Sequence, residues 1–366
     1  MKLAKHSLRY FPLEGGQVAR DRRDKNTFRN NTSLTPLKGG ITMSFILTLF
    51  FPLLTRAQSR LFISLVQSKG YVVGAQLAAS GLHRYEGGQT WTHLGWNNPR
   101  VLAIACDPRD ANVIFLACGN GVARTLDGGK SWRMTTDWRV TEALDVALDA
   151  HEPKHVYVAT AFGVWTSRDR GETWEESSRG LHRKFTQSIA VDHVRTRRVF
   201  AGTEGGLYFS NNGGGKWRLL AMRDVPILDL EQSTVSANVW LAATQERGVL
   251  LSHDHGKSWR FVEGKMAHAS VYAVAIDPFN ANHMAAASWG EGVFVSNDSG
   301  DSWQERNEGL PVRNLYEAVF DANHAGKLWI ATFEAGVFYS DNFGRTWNEA
   351  GMRGAMVFDM MFIQEK

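Results

Sequence analysis

The chain has 366 residues, of which 43% are hydrophobic and 21% charged, with two cysteines: enough apolar content for a sizeable core, and too few thiols for a disulfide-stapled fold. Its formal charge of +4 is unevenly placed, because residues 1 to 42 hold nine Lys or Arg against three acids, a net of +6, so the remainder carries −2. A near-neutral main body excludes a nucleic-acid footprint spread over its surface.

Residues 1 to 42 show no repeat and no periodic apolar pattern, and are expected to be disordered. Lys38, Gly39 and Gly40 can be encoded by a purine-rich tract resembling a bacterial ribosome-binding site, with Ile41 and Thr42 as spacer, so translation is expected to start at Met43. Residues 43–59 then read as a signal-peptide-like segment: an apolar run from Phe45 to Leu54, too short to span a bilayer comfortably, and a small-x-small site at Ala57 to Ser59. The basic start of such a segment is missing. A periplasmic or secreted location is the expectation and a cytoplasmic one the alternative.

From residue 60 the chain is a series of short alternating runs. Val101 to Asp107, Val271 to Asp277 and Asn314 to Asp321 read as first strands; His155 to Thr160, Arg198 to Thr203 and Lys327 to Thr332 read as second strands. Third strands open at Gly163, Gly206, Gly248, Gly292 and Gly336 and run into a recurring phrase that ends in tryptophan. Six copies span Thr125 to Trp132, Ser167 to Trp174, Ser210 to Trp217, Ser252 to Trp259, Ser296 to Trp303 and Ser340 to Trp347; a seventh, Arg84 to Trp91, has lost its first hydroxyl. Trp91, Trp132, Trp174, Trp217, Trp259, Trp303 and Trp347 recur at intervals of 41 to 44 residues. A period of this length built from short strands implies an all-β, single seven-bladed β-propeller over residues 60–366, with four antiparallel strands per blade. The ends are out of phase with the blades: Arg60 to Ser64 matches a second strand, and Met356 to Ile363 a first strand, so the C-terminal strand is expected to complete the first blade. Hairpin register pairs Cys118 with Val101 rather than Cys106, which predicts two unlinked, buried thiols.

The repeated phrases resemble the Asp-box, or BNR repeat, of sialidases, sortilin-type receptors, xyloglucan-cleaving hydrolases and photosystem II assembly-factor-like propellers, over about 300 residues. The physical task of Asp127, Asp169, Asn212, Asp254, Asp298 and Asn342 is local: each accepts backbone N–H groups in its turn, helped by the neighbouring hydroxyl, while Gly takes positive φ and Trp packs on the blade. These residues are read as structural, in preference to a calcium or catalytic role. Their turns mark one rim; the family's enzymes use the other, where the connectors between blades and the loops between second and third strands lie.

On that second rim every connector offers a cation just before the inner strand: Arg100, Arg139, Arg183 with Lys184, Arg223, His268, Arg313 and Arg353. They read either as a site for an anionic ligand or acidic partner, or as loop residues paired with nearby acids. Within the inner strands an aligned position reads Ala103, Asp145, Ser188, Asp229, Ala273, Glu317 and Asp359. Its four carboxylates are expected to face the central channel and pair with the arginines, with a bound cation or ordered water, or a glycosidase acid and base, as alternatives. Trp96, Trp138, Trp289, Phe162 and Phe333 lie near this rim and are read as packing rather than sugar platforms. The connection from Gln67 to Ser80 is longer than its counterparts and is a plausible lid or docking element.

The sialidase Arg-Ile-Pro element is missing, one propeller cannot form the two-propeller cleft of the xyloglucan hydrolases, and no metal cluster, phosphate loop or nucleophile elbow is present in the sequence. The plan is nearest to the photosystem II assembly-factor-like propellers, without implying a photosynthetic role. The sequence therefore points to a non-catalytic, monomeric binding propeller without cofactor, metal or membrane span, presenting a basic face to an acidic protein or an anionic glycan; the alternative is a glycoside hydrolase using a pair among Asp145, Asp229, Glu317 and Asp359. N-terminal mass spectrometry is expected to find Met43 or a later residue first, and a peptide spanning residues 30 to 50 would contradict this.

Overall fold

Short strands that alternate in period two bury one face each, and only stacking against a neighbouring sheet covers the other. The computed structural model describes residues 58–69 and 79–364, which form seven four-stranded antiparallel sheets. The expectations for residues 1–42, for residues 43–57 of the signal-like segment, and for residues 70–78 of the long Gln67 to Ser80 connection fall outside the described residues. Blade 2 shows the plan: Val101–Asp107 is innermost, followed by Asp110–Cys118, Gly121–Thr125 and Arg133–Met134. The inner strands of blades 3 to 7 are Ala143–Leu148, Thr186–Val191, Ile227–Gln232, Val271–Asp277 and Leu315–Phe320. Each inner strand touches the next, and the last returns to the first. Blade 1 joins the two ends of the chain, as the out-of-phase ends imply: Ala355–Gln364 pairs with Ser59–Gln67 from Ser59↔Gln364 to Gln67↔Ala355, and Gly81–Gly87 and Thr90–Leu94 complete the sheet.

The core lies between blades. Ala273 and Val295 of blade 6 pack with Phe320, Ile330 and Phe338 of blade 7; Phe115 of blade 2 packs with Val146, Val158 and Trp174 of blade 3. Inner strands are therefore covered on both faces and are apolar almost throughout, whereas the outermost strand has one free edge and is short, two residues in five of the blades. Cys118 pairs with Val101 as expected and both thiols are unlinked, but Cys106 is partly exposed rather than buried.

The recurring phrase is a self-contained turn. In blade 5 the Ser252 hydroxyl donates to Asp254 (2.8 Å) and accepts from the Gly256 amide (2.9 Å), while Asp254 accepts from the amides of Lys257 (3.0 Å) and Ser258 (2.9 Å) and from the Ser258 hydroxyl (2.6 Å). Asp169 repeats the whole pattern, Asp127 and Asp298 repeat it with only the amide four residues on, and Asn212 and Asn342 keep that one amide bond. Positive φ is not confined to glycine: Arg170, His255, Ser299 and Phe343, one position earlier, sit near φ 60 as well. The glycine is needed for a second reason, since a Cβ on Gly256 would lie 2.9 Å from the Phe200 ring of the preceding blade, and one on Gly171 the same distance from Phe115. Six of the seven tryptophans divide into two uses, and the buried Trp174 indole N–H takes neither. Trp132, Trp259 and Trp303 return their indole N–H to the glycine carbonyl of their own turn, whereas Trp91, Trp217 and Trp347 reach the preceding blade at Ala350, Ser177 and Arg306, three residues past that blade's tryptophan.

Because the turn amides of blade 5 lie near water, Asp254→Ala is expected to cost about 1 kcal/mol, the low end for lost amide acceptors, and to lower the melting temperature by roughly 2 °C. Calorimetry reads this directly; an unchanged transition would mean that water replaces the carboxylate without cost.

Candidate functional site

The rim opposite the repeated turns is stitched by backbone bonds between each connector and the loops beside it. The Gly119 amide donates to the Arg100 carbonyl (3.0 Å), Glu142 to Gly119 (2.9 Å), Ala161 to Glu142 (3.1 Å), Trp289 to Ser270 (3.0 Å), Gly292 to Arg313 (3.0 Å) and Phe333 to Asn314 (2.8 Å). This belt holds the connectors in place and sets where their side chains can reach.

Five of the eight predicted cations are neutralised locally. Arg100 pairs with Glu142 at 2.5 Å, Arg139 with Asp137 at 2.7 Å, Arg183 with Asp224 at 3.5 Å, Lys184 with Glu176 at 2.7 Å and Arg353 with Glu349 at 2.5 Å. None of these partners belongs to the channel, so the expected pairing of rim arginines with the inner carboxylates does not form. Arg223, His268 and Arg313 are exposed and have no ion-pair partner among the described residues. They stand on three successive connectors, leading into blades 5, 6 and 7.

The four inner carboxylates are 0% exposed. Asp145 accepts from its neighbour Val146 (2.7 Å) and from Ile189 of the next blade (2.7 Å); Asp229 accepts from Leu230 (2.8 Å) and from Val274 of the next blade (2.9 Å). Asp359 accepts from Ile104 of blade 2 (2.7 Å), and Glu317 from Ala318 (3.0 Å). Asp145, Asp229 and Asp359 act as clips between inner strands, occupying backbone donors of the next blade. Burial pushes the Asp145 carboxyl well above the usual range; the amides of Ile189 and Val146 oppose this, and the charges of Asp359 and Asp229 add to it.

A bulge in every inner strand explains why this ring is sealed. Register shifts fall immediately before Ala103, Asp145, Ser188, Asp229, Ala273 and Glu317, and at Phe358 in the closing strand, so one residue per blade is squeezed out toward the loop rim. Three of these, Leu102, Leu144 and Phe358, form an apolar cluster with Val66, Ala161, Phe185 and Met356 packed against it. Two more, Tyr272 and Tyr316, join Trp289 and Phe333 in a four-ring group with centroids 5.4 to 6.2 Å apart. Trp289 is 38% exposed, so the group reaches solvent at that ring. Trp138 and Phe162, at 85% and 60%, are far more exposed than packing predicts, and Trp96 stands edge-on to Trp132 at 5.8 Å. Sequence reading missed Tyr272 and Tyr316 because strict alternation hides a bulge; the large residue before each ring position is the signal that marks it. Among the described residues no group of three or more His, Cys, Asp or Glu is placed to hold a metal ion.

A family model described as sortilin, neurotensin receptor 3, matches residues 247–361, which run from blade 5 to the closing strand. No curated protein matches the chain. Solved structures of similar fold include a GH74 xyloglucanase from Xanthomonas campestris (17% identity, 81% of this chain and 53% of that one, TM-score 0.65) and YCF48 from Cyanidioschyzon merolae (15%, 68% and 84%, TM-score 0.54). The extracellular domain of a one component system from B. thetaiotaomicron is a third (17%, 77% and 40%, TM-score 0.59). The chain spans 38 to 54% of the GH74 proteins it matches. At these identities the likeness shows the propeller fold alone.

Titration separates the two carboxylate sets. A carboxyl whose folded pKa lies above its unfolded value stabilises the fold when protonated, so the contribution of Asp145 is present below about pH 4 and lost as pH rises through its folded pKa. The turn residues act in reverse: hydrogen bonds from the Ser131 hydroxyl and amide hold Asp127 down to about 2, so its contribution is present above about pH 4 and lost below. His83 and His193, lowered by burial to about 4, lose theirs as pH falls from about 6.5. Relative to the wild type, Asp145→Asn is therefore expected to lose denaturation midpoint as pH drops from 7 to about 4.5; a difference constant with pH would refute the buried, raised carboxyl.

Proposed function

We propose that this protein is a non-catalytic binding propeller that receives an acidic protein segment on the loop rim of blades 5 to 7. The observation that carries the reading is the coincidence, in one sector, of the three unneutralised cations Arg223, His268 and Arg313 with the exposed Trp289 of the Tyr272, Trp289, Tyr316 and Phe333 group. Unpaired cations attract and orient an anionic segment, and an exposed aromatic ring supplies apolar area that an extended chain covers. The other five predicted cations contribute little in this reading, since binding there must first break an existing ion pair. Supporting it by likeness, one solved structure of similar fold is YCF48 bound to a D1 peptide.

The hydrolase reading is disfavoured on chemical grounds. A general acid and base must reach the glycosidic oxygen and the anomeric carbon, whereas Asp145, Asp229, Glu317 and Asp359 are wholly buried and accept backbone amides. The aromatic group favours a second reading in which the anionic ligand is a glycan. We further propose an exported, monomeric protein starting at Met43, with the repeated turns serving as structural Asp-boxes; among the described residues no helix is long and apolar enough to cross a membrane.

Arg223→Ala with Arg313→Ala is expected to weaken binding of a glutamate-rich peptide by roughly five- to tenfold and to flatten its salt dependence, while Arg100→Ala leaves both nearly unchanged. Equal effects from the two variants would remove the sector from consideration. Turnover of xyloglucan or a sialoside that disappears in Asp229→Asn would overturn the non-catalytic assignment.

A further inference from the structure

The seventh copy of the repeated phrase departs from the others, and a cavity sits where it departs. In blade 1 the hydroxyl position is Arg84 and the turn carboxylate position is Glu86. Glu86 lies at the capping position, yet its carboxylate is held by Arg60 at 2.6 Å and by Arg84 at 2.8 Å. Beside it, on the rim of the repeated turns, a cavity of about 310 Å³ opens across the seam where blade 1 meets blade 7. Two other cavities among the described residues hold about 20 Å³ each.

The walls are chemically mixed and electrically balanced. On one side stand Arg60 and Glu86; on the other, His324 lies 3.1 Å from Asp321, and Lys327 pairs with Asp341 at 3.1 Å. Asp321 is held in place by the amides of Asn323 (2.8 Å) and His324 (3.1 Å) and by the Trp329 indole (3.0 Å). Tyr85 forms the apolar wall, its ring 5.0 Å from Trp329 and 4.9 Å from Trp91. The seam itself is clamped, since the Asn323 side chain both accepts from the Ser59 amide (2.9 Å) and donates to the Ser59 carbonyl (2.8 Å).

We infer that this seam cavity is a binding site for a small neutral saccharide, one or two sugar units long. Three kinds of observation converge on that class. Each cation in the wall already has an acid beside it, so the pocket offers no net charge to an ion. The same ion pairs present donors and acceptors side by side, which vicinal hydroxyls satisfy together. An aromatic wall next to these polar groups suits a molecule with one apolar C–H face and a hydroxylated edge, and about 310 Å³ is at the lower end of the volumes that ligand sites occupy. The site is independent of the loop rim and lies on the opposite end of the strands. Because its walls come from the first and last strands of the ring and the turns beside them, a ligand there stabilises closure as well as being held by it.

The test uses the full chain and a panel of neutral monosaccharides and disaccharides, glucose, galactose, xylobiose and cellobiose, with glycine and glutamine as zwitterionic competitors. At least one saccharide is expected to raise the melting temperature in a concentration-dependent manner and to quench tryptophan fluorescence. Glu86→Gln is expected to weaken that binding at least tenfold, and His324→Trp, at an exposed position over the opening, to abolish it without changing the melting temperature of the free protein. Arg313→Ala is expected to leave it intact, which separates this site from the peptide surface. Absence of any saccharide response, persistence of binding in both Glu86→Gln and His324→Trp, or binding of the amino acids in place of the sugars would overturn the assignment.

Discussion

The pairing of Ala355–Gln364 with Ser59–Gln67 is the constraint on which the rest of the molecule depends. A ring of blades left open would expose two full sheet faces and the inter-blade core between them. Closure by backbone bonds makes the first and last parts of the chain one sheet, so the stability of every blade is tied to both neighbours. It also brings Asn323 against Ser59 and Tyr85 against Trp329, contacts between residues more than 200 apart in the chain.

Within the closed ring the same short phrase supports two kinds of joint. In the six copies from blade 2 to blade 7 its carboxylate or amide satisfies amides of its own turn, which is why it tolerates Asp or Asn. Its tryptophan, by contrast, caps that turn in blades 2, 5 and 6 and reaches back to the preceding blade in blades 1, 4 and 7, while the buried Trp174 indole N–H of blade 3 does neither. A second set of joints runs at the centre, where Asp145, Asp229 and Asp359 each take an amide from the next inner strand beside a small residue, Ser188, Ala273 or Ala103. Acid and small residue alternate around much of the ring because one carboxylate reaching across leaves no room for another opposite it.

The inner-strand bulges connect this scaffold to the surface. Each pushes one side chain toward the loop rim, and the identity of that side chain decides what the mouth of the ring looks like. Leu102, Leu144 and Phe358 make it dry and shut; Tyr272 and Tyr316 make it aromatic and partly open. The four ring carboxylates are thereby kept from solvent at the centre, and the connector cations without an ion-pair partner among the described residues stand on the rim of blades 5 to 7.

The amino-acid sequence alone determined the blade number, the strand order within a blade, the register that separates Cys106 from Cys118, and the closure by the last strand. These are local or periodic properties: turn residues at fixed offsets and a repeat near 42 residues report on each blade independently, so seven copies reinforce one another. It also assigned the cations to the connectors and the carboxylates to the inner strands. What only the tertiary structure decided was which of those charges are available. Whether Arg100 meets Glu142, or Asp145 meets Ile189, depends on how neighbouring blades approach, and a one-residue bulge inverts which side chain faces the mouth without altering the apolar pattern that defines the strand. The seam cavity is of the same kind, because its walls are adjacent only once the ring has closed.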